Sequence, residues 1–339
     1  MFMKSQRKIW RSKRMAKLTI VEAVRDALDC EMAKNKSVVV LGEDVGRDGG
    51  VFRATDGLYK KYGDRRVIDT PLAESGIVGV SIAMAATGLK PVAEIQFDGF
   101  TYPALDQLFS HAARLRMRTR GRWTCPLVVR FPYGGGIRAL EHHSESPETY
   151  FIHTAGLKVV VPSNPYDAKG LLIAAMREPD PVIFMEPKRI YRAIRDEVPA
   201  EAYTCEIGKA RVVREGSDVT LISWGAMVRE CQKSSDQLAA KGIKCEIIDL
   251  RTLSPCDYDS IYNSVKKTGR VVIVHEAPKT CGFGAEIAAR IQENNLLSLK
   301  APVIRVTGFD VPYPYFQLEN EYIPNPERII AAIERVMTF

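Results

Sequence analysis

Strand-length apolar runs alternate with helix-length segments along nearly the whole chain, and the alternation breaks once. The runs at residues 38–41, 67–69, 92–97, 127–131, 159–161 and 182–185 are strand-like, and helical patterns lie near 74–87, 103–118 and 167–177. Apolar strands separated by helices predict a mostly parallel sheet with helices on its faces, an α/β fold. Residues 187–207 carry mixed charges, Pro199 and no clear period, and read as a linker. Beyond it the pattern restarts with strand-like runs at 219–223, 245–250, 271–275 and 303–306. Helical patterns stand between them, from Ala226, near 257–266 and near 285–294, with a last helix after Pro326. The reading is two α/β domains, residues 18–187 and 208–339, joined by 188–207, which suits a chain of 339 residues. Thr19-Ile-Val-Glu22 has the form of a capping box and predicts a helix from there to about Ala33.

A formal net charge of +7 suggests a polyanion partner until its location is considered. Lys4, Arg7, Lys8, Arg11, Lys13, Arg14 and Lys17 stand in residues 1–17, which hold no acid, so residues 18–339 balance to zero. A neutral body argues against nucleic acid as a partner. The basic stretch 1–17 reads as a disordered tail or a start artefact, with Met15 as an alternative first residue. An organelle presequence, which would place the protein in the mitochondrial matrix, fits less well because the stretch is short and has only two Ser. Seven cysteines without a Cys-x-x-Cys pair, and no secretory apolar segment, point to reduced thiols in a cytoplasmic setting. The sequence contains no apolar run of membrane-spanning length.

One carboxylate stands apart. Asp69-Thr-Pro-Leu-Ala-Glu74-Ser-Gly76 leads into a helix of Ile, Val, Gly, Ala and Met, and Glu74 is the only charged side chain between Asp69 and Lys90. An acid in such surroundings must be paired, shift its pKa or bond a specific ligand group. Helix capping is the bland alternative, because Pro71 ends an extended segment and an acid in the first turn favours the helix dipole. Capping would leave the acid exposed, whereas the neighbours of Glu74 read as core.

The chain from about Leu18 to its C-terminus resembles the β subunit of the thiamin-diphosphate-dependent 2-oxo acid dehydrogenases, the decarboxylating first component of those multienzyme complexes. The resemblance rests on Thr70-Pro-Leu-Ala-Glu-Ser-Gly76, Glu94-Ile-Gln-Phe97, Glu141-His-His-Ser-Glu-Ser-Pro-Glu148, Gly156-Leu-Lys-Val-Val-Val-Pro162, Ile248-Asp-Leu-Arg-Thr252 and Lys267-Thr-Gly-Arg270, in that order. It implies a pyrimidine-binding domain and a C-terminal transketolase-like domain. Thiamin diphosphate chemistry requires a carboxylate against N1′ of the aminopyrimidine, and the resemblance places Glu74 there, in an apolar setting that suits a raised pKa. It places Phe100 against the aminopyrimidine ring, Glu43 and Gln96 near it, and His143 as a catalytic group that stabilises charge and assists transfer to a lipoyl group. It also implies a potassium ion held at Leu127, Val128, Ala175, Glu178 and Asp180. A helix C-terminus with unpaired carbonyls makes a cation there physically reasonable.

The sequence has no Gly-Asp-Gly motif of the kind that holds Mg²⁺ and the diphosphate. It therefore reads as half an active site, completed by an α subunit in an α₂β₂ heterotetramer and served by a lipoyl-bearing acyltransferase core. Pyruvate and branched-chain 2-oxo acids both remain open as substrates. An acetoin dehydrogenase β subunit and a non-catalytic assembly subunit are the alternatives; retained Glu74 and His143 count against the second. Cys281-Gly-Phe-Gly-Ala-Glu286 resembles a dinucleotide loop but lacks the third Gly, so close helix–sheet packing explains it better. The adjacent pair His142-His143 lacks metal-ligand spacing, and His153 and His275 read as structural. Arg114, Arg116, Arg118, Arg120 and Arg122 read as a solvated face.

Overall fold

A computed structural model describes residues 15–339. Its strands are β1 (Met15–Leu18), β2 (Val38–Gly42), β3 (Val67–Asp69), β4 (Lys90–Glu94), β5 (Val128–Tyr133), β6 (Lys158–Val160) and β7 (Val182–Pro187). They continue with β8 (Asp196–Pro199), β9 (Arg211–Arg214), β10 (Val219–Ser223), β11 (Cys245–Asp249), β12 (Thr252–Ser254), β13 (Val271–Pro278) and β14 (Ile304–Gly308). The first sheet runs β12-β6-β7-β5-β4-β2-β3 and the second β14-β13-β10-β11-β9. Within these two sheets every pair is parallel except the edge pairs β12–β6 and β11–β9, and β1 and β8 form a separate antiparallel pair. Central strands such as β2, β5, β10 and β11 are buried along their whole length, as expected of a parallel sheet covered on both faces.

The capping box is present. Thr19 Oγ1 accepts from the Glu22 amide at 3.4 Å, Glu22 returns a bond to the Thr19 amide at 2.7 Å, and the helix runs Ile20–Lys34. Three expectations need correction. Residues 15–17 of the basic stretch belong to β1, which pairs with β8 of the supposed linker, while residues 1–14 lie outside the described residues. The linker itself lies on the helix Pro165–Arg177: the Cys205 amide donates to the Gly170 carbonyl at 3.1 Å, and the Tyr203 hydroxyl to the Tyr166 carbonyl at 2.7 Å. Finally, β12 leaves the second domain's sequence range to extend the first domain's sheet. A three-residue strand carries no period that tells which sheet it will join.

The helical pattern at 103–118 is not one α-helix. It opens with a 3₁₀ segment Asp98–Ala104 containing Pro103, widens to a π turn at Gln107–His111, and closes with Leu115–Arg118. Proline lacks the amide a regular helix would use, and π turns recur at functional sites.

A buried ion network ties the central strands together. Arg130 on β5 donates two bonds of 2.6 Å to Glu186 on β7 and a third to Glu94 on β4, and Tyr191 donates to Glu186. All three charged side chains are almost fully excluded from water. Replacing Arg130 with Met leaves two carboxylates buried and unpaired, and should cost about 3–5 kcal/mol of stability. Urea denaturation measures it; a loss under about 1 kcal/mol would mean that water reaches the freed carboxylates.

Candidate active site

Three neighbouring parallel strands deliver the expected groups to one edge of the first sheet. In register, Gly42 at the end of β2 faces Asp69 of β3 on one side and Glu94 of β4 on the other. The residues just beyond these ends are Glu43, Thr70 and Gln96. The carboxyl ends of parallel strands are where α/β sheets bind ligands, because the loops there diverge and leave a crevice.

Glu43 is half-buried, and burial pushes its carboxyl above the usual range; the charges of Asp44 and Glu74 push in the same direction. Glu43 and Glu74 are therefore electrostatic neighbours across the strand ends. Glu43 Oε2 and Thr70 Oγ1 are both buried without a hydrogen-bond partner. Such orphaned groups are uncommon in a native interior and point to a ligand that would satisfy them. Gln96 donates to Asp44 at 3.3 Å, which holds its amide over the same edge.

Glu74 departs from expectation. It is the first residue of the helix Glu74–Ala86 and only half-buried, so this chain alone does not supply the apolar enclosure that the sequence suggests. The same helix leaves Val80 52% exposed, and Leu72 just before it is 61% exposed. A helix apolar on every face belongs in an interior, so its bare face reads as a surface meant to be covered.

Phe100 and His143, on the loops that follow β4 and β5, meet one another. Phe100 meets His143 edge to face with ring centroids 5.0 Å apart. Phe97 stacks flat on His143 at 3.9 Å and 7°, and His142 lies 4.2 Å from His143. Burial lowers the His143 pKa below the ordinary histidine value, so the neutral ring prevails at pH 7, and its Nδ1 is buried with no partner. Sequence reasoning did not single out the role of Phe97 or the fully buried ion pair of Asp98 with Lys188, whose ammonium lies 5.5 Å over the Phe97 ring. Burial raises Asp98 to about 6 despite that partner.

The groups expected around potassium, as backbone carbonyls, already take part in the fold, although a carbonyl that accepts one bond keeps a second lone pair. The Leu127 carbonyl accepts from the Val182 amide at 2.9 Å and the Ala175 carbonyl from the Glu178 amide at 3.2 Å. Val128 is a ladder residue of β5, Lys158 holds the Glu178 carboxylate, and Arg116 holds Asp180 at 2.7 Å. No cluster of three or more His, Cys, Asp or Glu suited to a metal occurs among the described residues. The 281–286 loop is a packing feature, since a Cβ on Gly282 or Gly284 would come within 2.6 or 2.7 Å of the His275 ring. His275 is fully buried and stacks on Trp224 at 5.3 Å. No described helix is long and apolar enough to cross a membrane.

Comparison with known proteins identifies both domains. Residues 16–193 match the family model "Transketolase, pyrimidine binding domain", and residues 208–329 match "Transketolase, C-terminal domain". The chain is 55% identical over 322 residues to the pyruvate dehydrogenase E1 component subunit beta of Acholeplasma laidlawii, covering 95% of this chain and 98% of that one. It is 49% identical over 325 residues to the protein of the same name from Bacillus subtilis strain 168, covering 96% and 100%. A solved split-gene transketolase, an inactive beta4 tetramer, shares the fold with a TM-score of 0.77 at 22% identity, over 95% of this chain and 99% of that chain.

Proposed function

The chain belongs to the transketolase-like family of 2-oxo acid dehydrogenase first-component β subunits, and from that premise we propose that it forms the aminopyrimidine half of a thiamin diphosphate site and works with an α chain on pyruvate. The observation that carries the reading is the pairing of Glu74 with the unsatisfied Glu43 carboxyl at the carboxyl ends of β3 and β2, with the unsatisfied Thr70 hydroxyl there and with Phe100 and His143 in contact on the loops after the neighbouring strands β4 and β5. Pyruvate, rather than a branched-chain 2-oxo acid, rests on the names of the relatives at 55% and 49% identity.

The residues fit the cofactor. When bound, thiamin diphosphate supplies the electron sink for decarboxylation of a 2-oxo acid. Glu74 would hold a proton against N1′ of the aminopyrimidine, a role that calls for a carboxylate and not merely a polar group. Glu43 keeps its own proton to higher pH than an ordinary glutamic acid, so it can donate or accept toward the same ring. Phe100 offers a ring face, and Gln96 an amide. Neutral His143 presents a lone pair to a reacting group and can carry a proton during acyl transfer to a lipoyl arm. Mg²⁺ and the diphosphate fall to the α chain in an α₂β₂ assembly. The bare face around Leu72 and Val80 is the surface that this partner would cover, completing the enclosure of Glu74.

The reading predicts that the isolated chain binds thiamin diphosphate weakly and turns over no substrate, and that co-expression with the α chain restores both. Isothermal titration tests the first part, with Mg²⁺ present. Dye-linked oxidation of a panel of 2-oxo acids and acetoin tests the second, and pyruvate should exceed branched-chain acids by about tenfold or more in kcat/KM, the discrimination available from a few methylenes. Tight stoichiometric binding without an α chain would overturn the half-site. Preference for acetoin would move the chain to the acetoin dehydrogenases.

A further inference from the structure

His143 sits on the returning limb of a loop whose ends meet. The Gly134 amide donates to the Glu145 carbonyl at 2.8 Å, and the Glu145 amide donates to Asp98 Oδ2 at 2.8 Å. Lys188 holds the other oxygen of Asp98, so the base of the loop is anchored in the first domain. The outgoing limb is held differently. Gly134, Gly136 and Arg138 all adopt positive φ, at 79°, 89° and 59°, and this part of the turn offers its amides outward. Such a run of exposed N–H groups forms an anion-binding concavity.

Two carboxylates of the second domain occupy it. Glu276 on β13 accepts from the Gly135 amide. Glu319 accepts from the Gly136 amide at 2.8 Å and from the Arg138 amide at 3.2 Å, and the Tyr313 hydroxyl donates to the same carboxylate at 3.1 Å. Both carboxylates are buried. The approach is so close that a Cβ on Gly135 would meet the Tyr313 hydroxyl at 1.7 Å. Charge-assisted bonds to a carboxylate are about twice as strong as neutral ones, and the Glu276 bond has that strength only in part at neutral pH, because burial raises its pKa to about 7. Ordinary domain contact does not require two carboxylates on the successive amides of Gly135 and Gly136, within eight residues of the catalytic candidate.

We propose that Glu319 and Glu276 are positioning residues for His143: by clasping the turn at 134–138, the second domain fixes the loop that presents the imidazole to its substrate. The proposal rests on the reading of His143 as an active-site group. It gives the second domain a part in the reaction, though that domain carries no cofactor motif of its own. Glu319 is the member to test, because it holds two amides and stands on a short helix of the second domain, Glu319–Tyr322, outside both sheets.

The experiment compares wild type, Glu319→Ala and Glu319→Gln in the complex formed with the α chain. Ala removes both acceptors, whereas Gln keeps a carbonyl oxygen that the Gly136 amide can use. In Glu319→Ala, hydrogen exchange of the segment 135–145 should rise while the two sheets stay protected. The ¹³C signal of the His143 ring should shift, and kcat should fall about 10- to 100-fold, as expected for a catalytic group displaced by an ångström or less. Thiamin diphosphate affinity should stay within about twofold, and Gln should recover most of the loss. Tyr313→Phe provides a milder variant if Glu319→Ala does not fold; it should raise exchange at 135–138 and lower kcat to a smaller extent. Unchanged exchange and an unmoved His143 signal would overturn the clasp. Raised exchange with unchanged kcat would overturn its link to His143. If the wild-type complex turns over no 2-oxo acid, the functional reading fails, while exchange and the ring signal still decide whether the clasp places His143.

Discussion

Glu74→Gln should abolish activation of thiamin diphosphate while leaving its binding to the α-containing complex within a few-fold of wild type. The amide keeps the shape of the carboxyl and its hydrogen-bonding reach, but it cannot share a proton with N1′. Loss of a positioned acid–base group typically costs about 10²–10⁴-fold, and this one is required before any substrate carbon reacts, so the effect should lie at or beyond the upper end. Exchange of the cofactor's C2 hydrogen for deuterium in the complex reads the step directly, without substrate; wild-type exchange in the variant would sink the role. Glu43→Gln provides the contrast. Burial and its two acidic neighbours push its carboxyl above the usual range, toward the neutral form that an amide imitates, so the loss should be smaller. Equal losses would mean that the two carboxylates act as one unit.

Much of this arrangement is legible in the sequence, for reasons that differ from element to element. The alternation of apolar runs and helices gives the two parallel sheets because it is a local property with a fixed period. The Thr19–Glu22 cap is equally local, and both of its bonds are present. The site motifs are legible through family resemblance alone, since nothing in the spacing of Glu43, Glu74, Phe100 and His143 announces that they will follow strands β2, β3, β4 and β5, which lie side by side in the order β3-β2-β4-β5. What was not legible is long-range and without period. Asp98 and Lys188 lie ninety residues apart, and only the fold makes them a buried pair. The same holds for β12, which abandons its own domain's sheet, and for the 188–207 segment, whose irregular composition hides that it is strapped to a helix. The enclosure of Glu74 failed for another reason. On the proposed reading the sequence records a surface that an α chain covers, and one chain does not display the cover.

His143→Ala should leave thiamin diphosphate binding nearly unchanged and lower turnover by about 10²–10⁴-fold, the usual contribution of a positioned acid–base group. The variant removes two things together, a ring nitrogen and the face that stacks on Phe97 at 3.9 Å, and the two must be separated. His143→Phe does so: it keeps an aromatic face for Phe97 and Phe100 but has no nitrogen to hold a proton. If chemistry at nitrogen is what matters, both variants are slow by similar factors. If the ring serves only to seat the loop, Phe recovers activity and Ala does not. The pH dependence supplies a second discriminator. Burial lowers the His143 pKa, so wild type keeps the neutral ring at pH 7 and should lose rate only as the pH falls through that lowered value, below the ordinary histidine range near 6.5. That acid limb should vanish from the profile of His143→Phe, leaving a low rate indifferent to pH across the same interval. Single-turnover measurements then assign the step, because a group needed for acyl transfer to the lipoyl arm slows reductive acylation and spares decarboxylation. An acid limb that survives in His143→Phe would shift the assignment to His142, whose ring lies 4.2 Å away, or to a residue of the α chain.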